Sequence, residues 1–253
     1  MSEGVLSGRR VLVTGASRGI GRALAVACAE SGADVALAAR DETALVAVTA
    51  EIERLGRRAV TIAMDVREAA TIRAGVDRAA EALGGLDLLV NNAGIEEVRP
   101  SLEVDEALWD RIVDTNLRGA FFTAQASARH MQGAGGGAIV NLCSLTSSVG
   151  VPTAVPYGSS KTGLLGMTRA LAAEWAPLNI RVNALAPGYF RTAMTEVFYA
   201  DPAWQEAMLA RIPMRRFGAL DDLTGPAVFL LSDAARYVTG QMLTVDGGYT
   251  ASI

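Results

Sequence analysis

The 253-residue chain has one histidine, two cysteines and no run of like charges, and each shortage removes a class of function. The single imidazole, His130, falls where a helix is expected to end ahead of the glycine tract 133–137, a place that favours a cation. No histidine is left for a Ser-His-Asp mechanism. Cys28 and Cys143 are too few for a disulfide framework or a zinc pattern, so they read as small core hydrophobes and no metal is expected. A net charge of −4 and a pI near 5.2 give no basic footprint, which excludes nucleic acid as a partner. No apolar run approaches the ~20 residues that span a bilayer, and residues 1–10 lack the apolar core of a signal peptide. A cytoplasmic protein without a membrane partner is expected.

What is present is 51% hydrophobic and 20% charged, enough for one large core in a single domain over residues 1–253. Residues 11–24 carry the first pattern, a β-branched run, then Gly15, Gly19 and Gly21, then apolar helical spacing at Ile20, Leu24 and Cys28. Glycines at such a turn let the backbone approach a pyrophosphate, and the helix N-terminus behind them offers unpaired N–H groups. The spacing G-x-x-x-G-x-G differs from G-x-G-x-x-G and is equally an ordinary strand-to-helix turn when taken alone. A second strand follows at Asp34–Ala39, with Asp41 able to cap a helix running to about residue 55. In dinucleotide folds a carboxylate near this strand's end binds the ribose 2′-hydroxyl. Here Ala39 and Arg40 stand instead, and Arg40 together with Arg18 can pair with a 2′-phosphate, which points to NADP(H). The other reading leaves Arg40 solvated and gives the ribose to Asp41.

Strand and helix go on alternating. A third strand at 59–64 ends at Asp65-Val66, where Asp65 either accepts from an adenine amino group or caps the helix to residue 83. A fourth strand at 86–90 enters Asn91-Asn92-Ala93-Gly94. The alternation predicts an α/β fold, a doubly wound parallel sheet of about seven strands with helices on both faces, the Rossmann arrangement. A helix is expected over 105–130, with the poor helix former Asn116 inside it among Ile112, Val113, Phe121 and Phe122. The fifth strand, 138–142, ends at Cys143-Ser144, and a later helix opens at Pro156-Tyr157. Tyr157 and Lys161 lie four apart on one helix face, where an ammonium lowers a phenol pKa from about 10 towards the working range of a general acid/base. Strands at 181–186 and 242–245 and a helix at 221–231 complete the pattern.

Thr14 to Gly21, Asp65-Val66, Asn91 to Gly94, Asn116, Ser144, Tyr157-x-x-x-Lys161 and Pro187-Gly188 with Thr192 together resemble the short-chain dehydrogenase/reductase family over nearly the whole chain. The resemblance implies that Tyr157 is the acid/base, that Ser144 hydrogen-bonds the substrate oxygen, that Lys161 holds the nicotinamide ribose, and that Asn116 holds a water extending the proton path. It implies an NADP(H) site made by Gly15, Ser17, Arg18, Gly19, Ile20, Gly21, Arg40, Asp65, Val66, Asn92, Ala93, Gly94, Tyr157, Lys161, Pro187, Gly188, Phe190 and Thr192, with Ile95 near the ribose. It also implies a homotetramer and a substrate lid at about 189–217. Met194, Phe198, Tyr199, Trp204 and Met208 are candidate walls of that lid, or plain core residues.

Residues 141–145 and 186–192 are most similar to the gluconate 5-dehydrogenase-like branch, which tends to carry arginines after its Asn-Asn-Ala-Gly motif. Here Glu96-Glu97 stand there and oppose a carboxylate substrate, with Arg99 a partial compensation. The 3-oxoacyl-(acyl carrier protein) reductase-like branch docks an acidic carrier through basic residues, but the corresponding stretches 133–137 and 177–179 have none. The sequence reads as an NADP-dependent oxidoreductase interconverting a secondary alcohol and a ketone on a small free substrate, of carbonyl reductase or polyol/sugar dehydrogenase type. The alternatives are a 3-oxoacyl-carrier reductase and a catalytically silent NADP-binding sensor.

Overall fold

A computed structural model describes residues 4–192 and 195–252, except for the side chains of residues 197 and 198. The strands are β1 (Arg10–Thr14), β2 (Asp34–Ala39), β3 (Ala59–Ala63), β4 (Leu88–Asn91), β5 (Gly137–Leu142), β6 (Ile180–Pro187) and β7 (Met242–Val245). They form one sheet in the order β3-β2-β1-β4-β5-β6-β7, and every pair is parallel. The α-helices are α1 (Gly19–Glu30), α2 (Val46–Arg54), α3 (Ala69–Leu83), α4 (Glu106–Val113), α5 (Gly119–Gly133), α6 (Val155–Trp175), α7 (Glu196–Tyr199), α8 (Pro202–Arg211) and α9 (Asp221–Leu231).

The strands read as unbroken apolar runs because both sheet faces are covered. Val11 and Val13 of β1 join Leu24, Val48, Ile52 and Leu230 of α1, α2 and α9 on one face. Leu12, between them, joins Ile72, Val76, Met131 and Leu171 of α3, α5 and α6 on the other. Burying each such side chain contributes about 1.5–3 kcal/mol, so the two layers dominate the stability of this single α/β domain.

Two expectations need correction. The helix expected over 105–130 is α4 and α5 joined by a π-helical turn, Asp114–Arg118, with Asn116 inside it. Polar side chains compete with the helix there: Thr115 Oγ1 donates to the Arg111 carbonyl at 2.7 Å, and the Asn116 amide bonds outside the helix. Asp65 does not cap α3. Glu68 holds the N-cap position, and Asp65 instead accepts from the Arg67 amide at 3.0 Å and pairs with its guanidinium at 2.9 Å. The helix after β2 begins as a 3₁₀ turn, Glu42–Leu45, capped by Asp41 through the Thr43 amide.

The Leu88–Asn91 strand runs one residue further than its apolar run because Asn91 pairs in register with Asn141, and its amide donates to Asn141 Oδ1 at 3.0 Å and to the Ala120 carbonyl at 2.9 Å. Asn91 is therefore a buried tie between strands and α5, while Asn92 is left to face the crevice.

Candidate active site

The chain leaves β1 for β2 on one side and β4 on the other, and this reversal opens a crevice beyond the strands' carboxyl ends. A cleft of about 610 Å³ occupies it. Every residue assigned to the cofactor from the sequence lines it, from Gly15, Ser17, Arg18, Gly19, Ile20 and Gly21, through Arg40, Asp65, Val66, Asn92, Ala93 and Gly94, to Pro187, Gly188, Phe190 and Thr192.

The glycine turn fits a pyrophosphate for reasons of geometry. Gly15 and Gly19 have φ of +64° and +55°, and a Cβ at Gly21 would run into the Gly15 carbonyl. Arg18 sits at the N-cap of α1 with no side-chain cap bond, so the helix presents its first amides to the cleft. Thr14 Oγ1 accepts from the Asn92 and Ala93 amides, both at 3.0 Å, and Asn92 Nδ2 donates to the Thr14 and Gly15 carbonyls, which fixes the turn against the end of β4.

Arg18 and Arg40 are exposed at the cleft's rim and form no salt bridge among the described residues. Asp41 is engaged by the Thr43 amide and hydroxyl, at 2.9 and 2.6 Å, which disfavours a role for it on a ribose. The Arg67 guanidinium, with a smaller contribution from Arg40, holds the Asp65 carboxyl below its ordinary range.

At the other end of the cleft, β5 delivers Leu142, Cys143 and Ser144, and α6 delivers Tyr157 and Lys161. Pro156 in the first turn of α6 suits a helix start, since its missing N–H would be unpaired there anyway. Lys161 is the only lysine in the chain and is buried. Its Nζ donates to the Leu142 carbonyl at 2.6 Å and lies 5.6 Å from the Tyr157 ring centre. Burial pulls the Lys161 pKa down, opposed by Cys143 and Glu96. Ser144 lies beside the Tyr157 phenol and also accepts from the Thr146 amide at 3.2 Å.

The electrostatics depart from the sequence expectation. The Tyr157 phenol is pushed above its ordinary value, first by burial and next by the Glu96 carboxylate, while the hydrogen bond with Ser144 pulls it down. The Lys161 ammonium donates to the Leu142 carbonyl, and burial discourages its charge. Burial and Glu96 thus favour the protonated phenol.

Asn116 is buried outside the cleft lining. Its Oδ1 accepts from the Ile95 amide at 2.8 Å, and its Nδ2 donates to the Ile95 carbonyl at 2.9 Å and to Ser160 Oγ at 3.1 Å. Ser160 Oγ in turn donates to the Tyr157 carbonyl at 2.7 Å. The visible work of Asn116 is to tie the loop after β4 to the helix that bears Tyr157. Ser160 was not singled out from the sequence; a serine three residues past a tyrosine carries no signal until Asn116 is seen to reach it.

The proposed lid walls are placed differently from the expectation. Tyr199, Trp204 and Met208 do not line the cleft. Tyr199 and Tyr189 meet Trp204 edge-on at 5.3 and 5.6 Å, Phe217 stacks on Trp204, and Tyr189 reaches Tyr249. Aromatic surface in this segment is consumed by mutual packing. Met194 and the side chain of Phe198 lie outside the described residues. Among the described residues, the segment's contribution to the cleft is Phe190, Thr192 and Thr195, with Thr195 Oγ1 accepting from the Thr192 amide at 2.9 Å.

A dinucleotide-shaped crevice ending in a serine, a tyrosine and a lysine defines a class of nucleotide-dependent oxidoreductases, and comparisons with known proteins agree. A family model described as enoyl-(acyl carrier protein) reductase matches residues 15–250. Gluconate 5-dehydrogenase of Gluconobacter oxydans (strain 621H) is 42% identical over 248 residues, covering 98% of this chain and 97% of that protein. A crystal structure from Sinorhizobium meliloti 1021, provisionally assigned as a short-chain alcohol dehydrogenase, is 66% identical with a TM-score of 0.96, covering 98% of both chains. A gluconate 5-dehydrogenase from Burkholderia cenocepacia J2315, in complex with NADP and tartrate, is 40% identical with a TM-score of 0.95, covering 98% of this chain and 97% of that one. The chain belongs to the short-chain dehydrogenase/reductase family and is an oxidoreductase.

Among the described residues no helix is long and apolar enough to cross a membrane, and no cluster of His, Cys, Asp and Glu could hold a metal.

Proposed function

We propose that the protein interconverts a secondary alcohol and a ketone on a small, free, polyhydroxylated substrate, using NADP(H). The observation that carries this reading is one cleft with two unpaired arginines, Arg18 and Arg40, at its nucleotide end and Ser144, Tyr157 and Lys161 at the other. The gluconate dehydrogenase solved with NADP supports the choice of cofactor.

When bound, the cofactor supplies or accepts the two-electron equivalent at the carbinol carbon. The chain does the rest. Ser144 Oγ polarises the substrate oxygen by a hydrogen bond, and Tyr157 gives that oxygen its proton during reduction and takes one during oxidation. Lys161 Nζ holds the nicotinamide ribose, and Asn116 keeps the Ile95 loop and α6 in register. Segment 189–217 covers the substrate end, anchored by its aromatic cluster. A homotetramer fits β7, whose half-buried residues form the open edge of the sheet.

The matching family model favours a second reading, a reductase acting on carrier-bound acyl groups. The tract 133–137 speaks against it, because it carries no basic side chain: its first three residues are exposed, and only its end is packed. Asn179 Nδ2 donates to the Gly135 carbonyl at 2.9 Å, and Asn179 fills the space where a Cβ at Gly136 would stand. Tethering a 3-oxoacyl group to acyl carrier protein is therefore expected to leave KM unchanged relative to the free thioester. Steady-state NADPH consumption with both forms tests this, and a large, salt-sensitive fall in KM for the tethered form would restore the carrier role.

A further inference from the structure

Glu96 follows the end of β4 and lines the cleft together with Ser144, Tyr157 and Lys161. Its backbone is held firmly, since Asn116 clamps both the amide and the carbonyl of Ile95. Yet among the described residues its carboxyl accepts no hydrogen bond and joins no ion pair, although it is close enough to Tyr157 and Lys161 to act on both through space. The half-buried carboxyl opens onto the cleft, so its acceptor capacity is available to whatever binds there.

The adjacent carboxylate is in the opposite situation. Glu97 pairs with both Arg99 and Arg111, and Arg99 also reaches Asp105 at 3.5 Å. The guanidinium groups at this rim are therefore neutralised from within the protein. Arg111, which lines the cleft, is not free to receive a substrate anion, and Arg99 compensates Glu97 but makes no ion pair with Glu96. The charged groups left facing the reacting atoms are Glu96 and Lys161.

This pairing filters ligands by charge. A substrate carboxylate at the Glu96 wall meets a like charge, and Arg99 and Arg111 of that rim are already paired. A neutral hydroxyl meets an acceptor whose hydrogen-bonding capacity is unused. We infer that Glu96 is a substrate-recognition residue, accepting a hydrogen bond from a hydroxyl of the bound alcohol or ketone and selecting neutral polyhydroxy compounds over sugar acids. The inference rests on the function proposed above and names the substrate class for the same site.

D-Glucitol and D-gluconate make a matched probe pair, because they share carbons 2–6 and differ at C1 as hydroxymethyl against carboxylate. NADP⁺-dependent oxidation of each is measured in the wild type and in Glu96→Gln, with NADPH binding followed by fluorescence to confirm an intact cleft. The wild type is expected to favour glucitol in kcat/KM by about tenfold or more, the scale of a hydrogen bond to a charged group. Glu96→Gln should raise KM for glucitol, lower it for gluconate and collapse the preference. Any change the substitution makes in Tyr157 is common to both substrates and cancels in the ratio.

Preference of the wild type for gluconate, a ratio unmoved in Glu96→Gln, or failure to oxidise either compound would each overturn the inference. NADPH consumption with a panel of small ketones separates this failure from a wider one. Turnover of those ketones that is lost in Tyr157→Phe leaves the oxidoreductase mechanism standing while the inference falls, and no turnover of any of them removes the mechanism as well.

Discussion

Replacing Tyr157 with phenylalanine lowers kcat by roughly 10²-fold or more while NADPH binding stays close to wild type, because acid/base groups contribute about 10²–10⁴-fold and the ring itself is retained. The phenol is the group lost, and the structure shows it beside Ser144 with its proton held by burial and by Glu96. Lys161→Ala should harm both binding and turnover, because the chain's only lysine is asked to hold the ribose and also bonds the Leu142 carbonyl at 2.6 Å next to Ser144. Single-turnover kinetics with a fluorescence titration of NADPH separate the two quantities. Wild-type turnover by Tyr157→Phe would move the proton-transfer role to another residue.

The second large effect concerns the nucleotide end. Exchanging Ala39→Asp together with Arg40→Ala should reverse or erase the preference for NADPH over NADH. The substitutions put a carboxylate at the cleft position of Ala39 and remove a guanidinium that forms no salt bridge among the described residues. Charge-assisted hydrogen bonds of about 1.5–3 kcal/mol correspond to roughly 10- to 10²-fold in kcat/KM, and the added like charge widens the change. Equal or better kcat/KM with NADH in the unmodified protein would contradict the reading of these positions.

The sheet was readable from the chain because parallel strands buried on both faces are continuous apolar runs, and Asp34–Ala39 and Met242–Val245 fall where those runs lie. The glycine turn that lines the cleft was readable because glycines at 15, 19 and 21 leave a mark that backbone geometry demands. The hidden features depend on contacts between distant segments. Asn116 was conspicuous as a poor helix former, but its true partners, Ile95 and Ser160, lie 21 and 44 residues away, and the π-helical turn that aims it has no periodic signature.

The aromatic residues of segment 189–217 suggested cleft walls because composition cannot say which side a ring faces; Trp204 turned to Tyr199 and Phe217 instead. The Tyr157 pKa was mispredicted for a similar reason. Helix spacing put Lys161 nearby, but it could not show that the ammonium would bind Leu142 or that Glu96, 61 positions earlier in the chain, would lie within range of the phenol.

That electrostatic arrangement also gives the most direct test of the mechanism. In the mechanism proposed above, oxidation requires Tyr157 to accept a proton, so it needs the phenolate. A phenol raised by burial and by Glu96 ionises later, and the oxidative rate should climb with pH into the alkaline range. Around the phenol stand Ser144, Cys143, Glu96 and Lys161. Burial pushes the Glu96 carboxyl up and Lys161 pulls it back; its charge is one cause of the raised phenol, so removing that charge must lower the phenol's pKa. The decisive measurement is the pH–rate profile of NADP⁺-dependent alcohol oxidation for the wild type, Glu96→Gln and Tyr157→Phe. The account predicts a rising limb in the wild type, the same limb displaced to lower pH in Glu96→Gln, and no such limb in Tyr157→Phe. A rising limb of unchanged position and amplitude in Tyr157→Phe would contradict it.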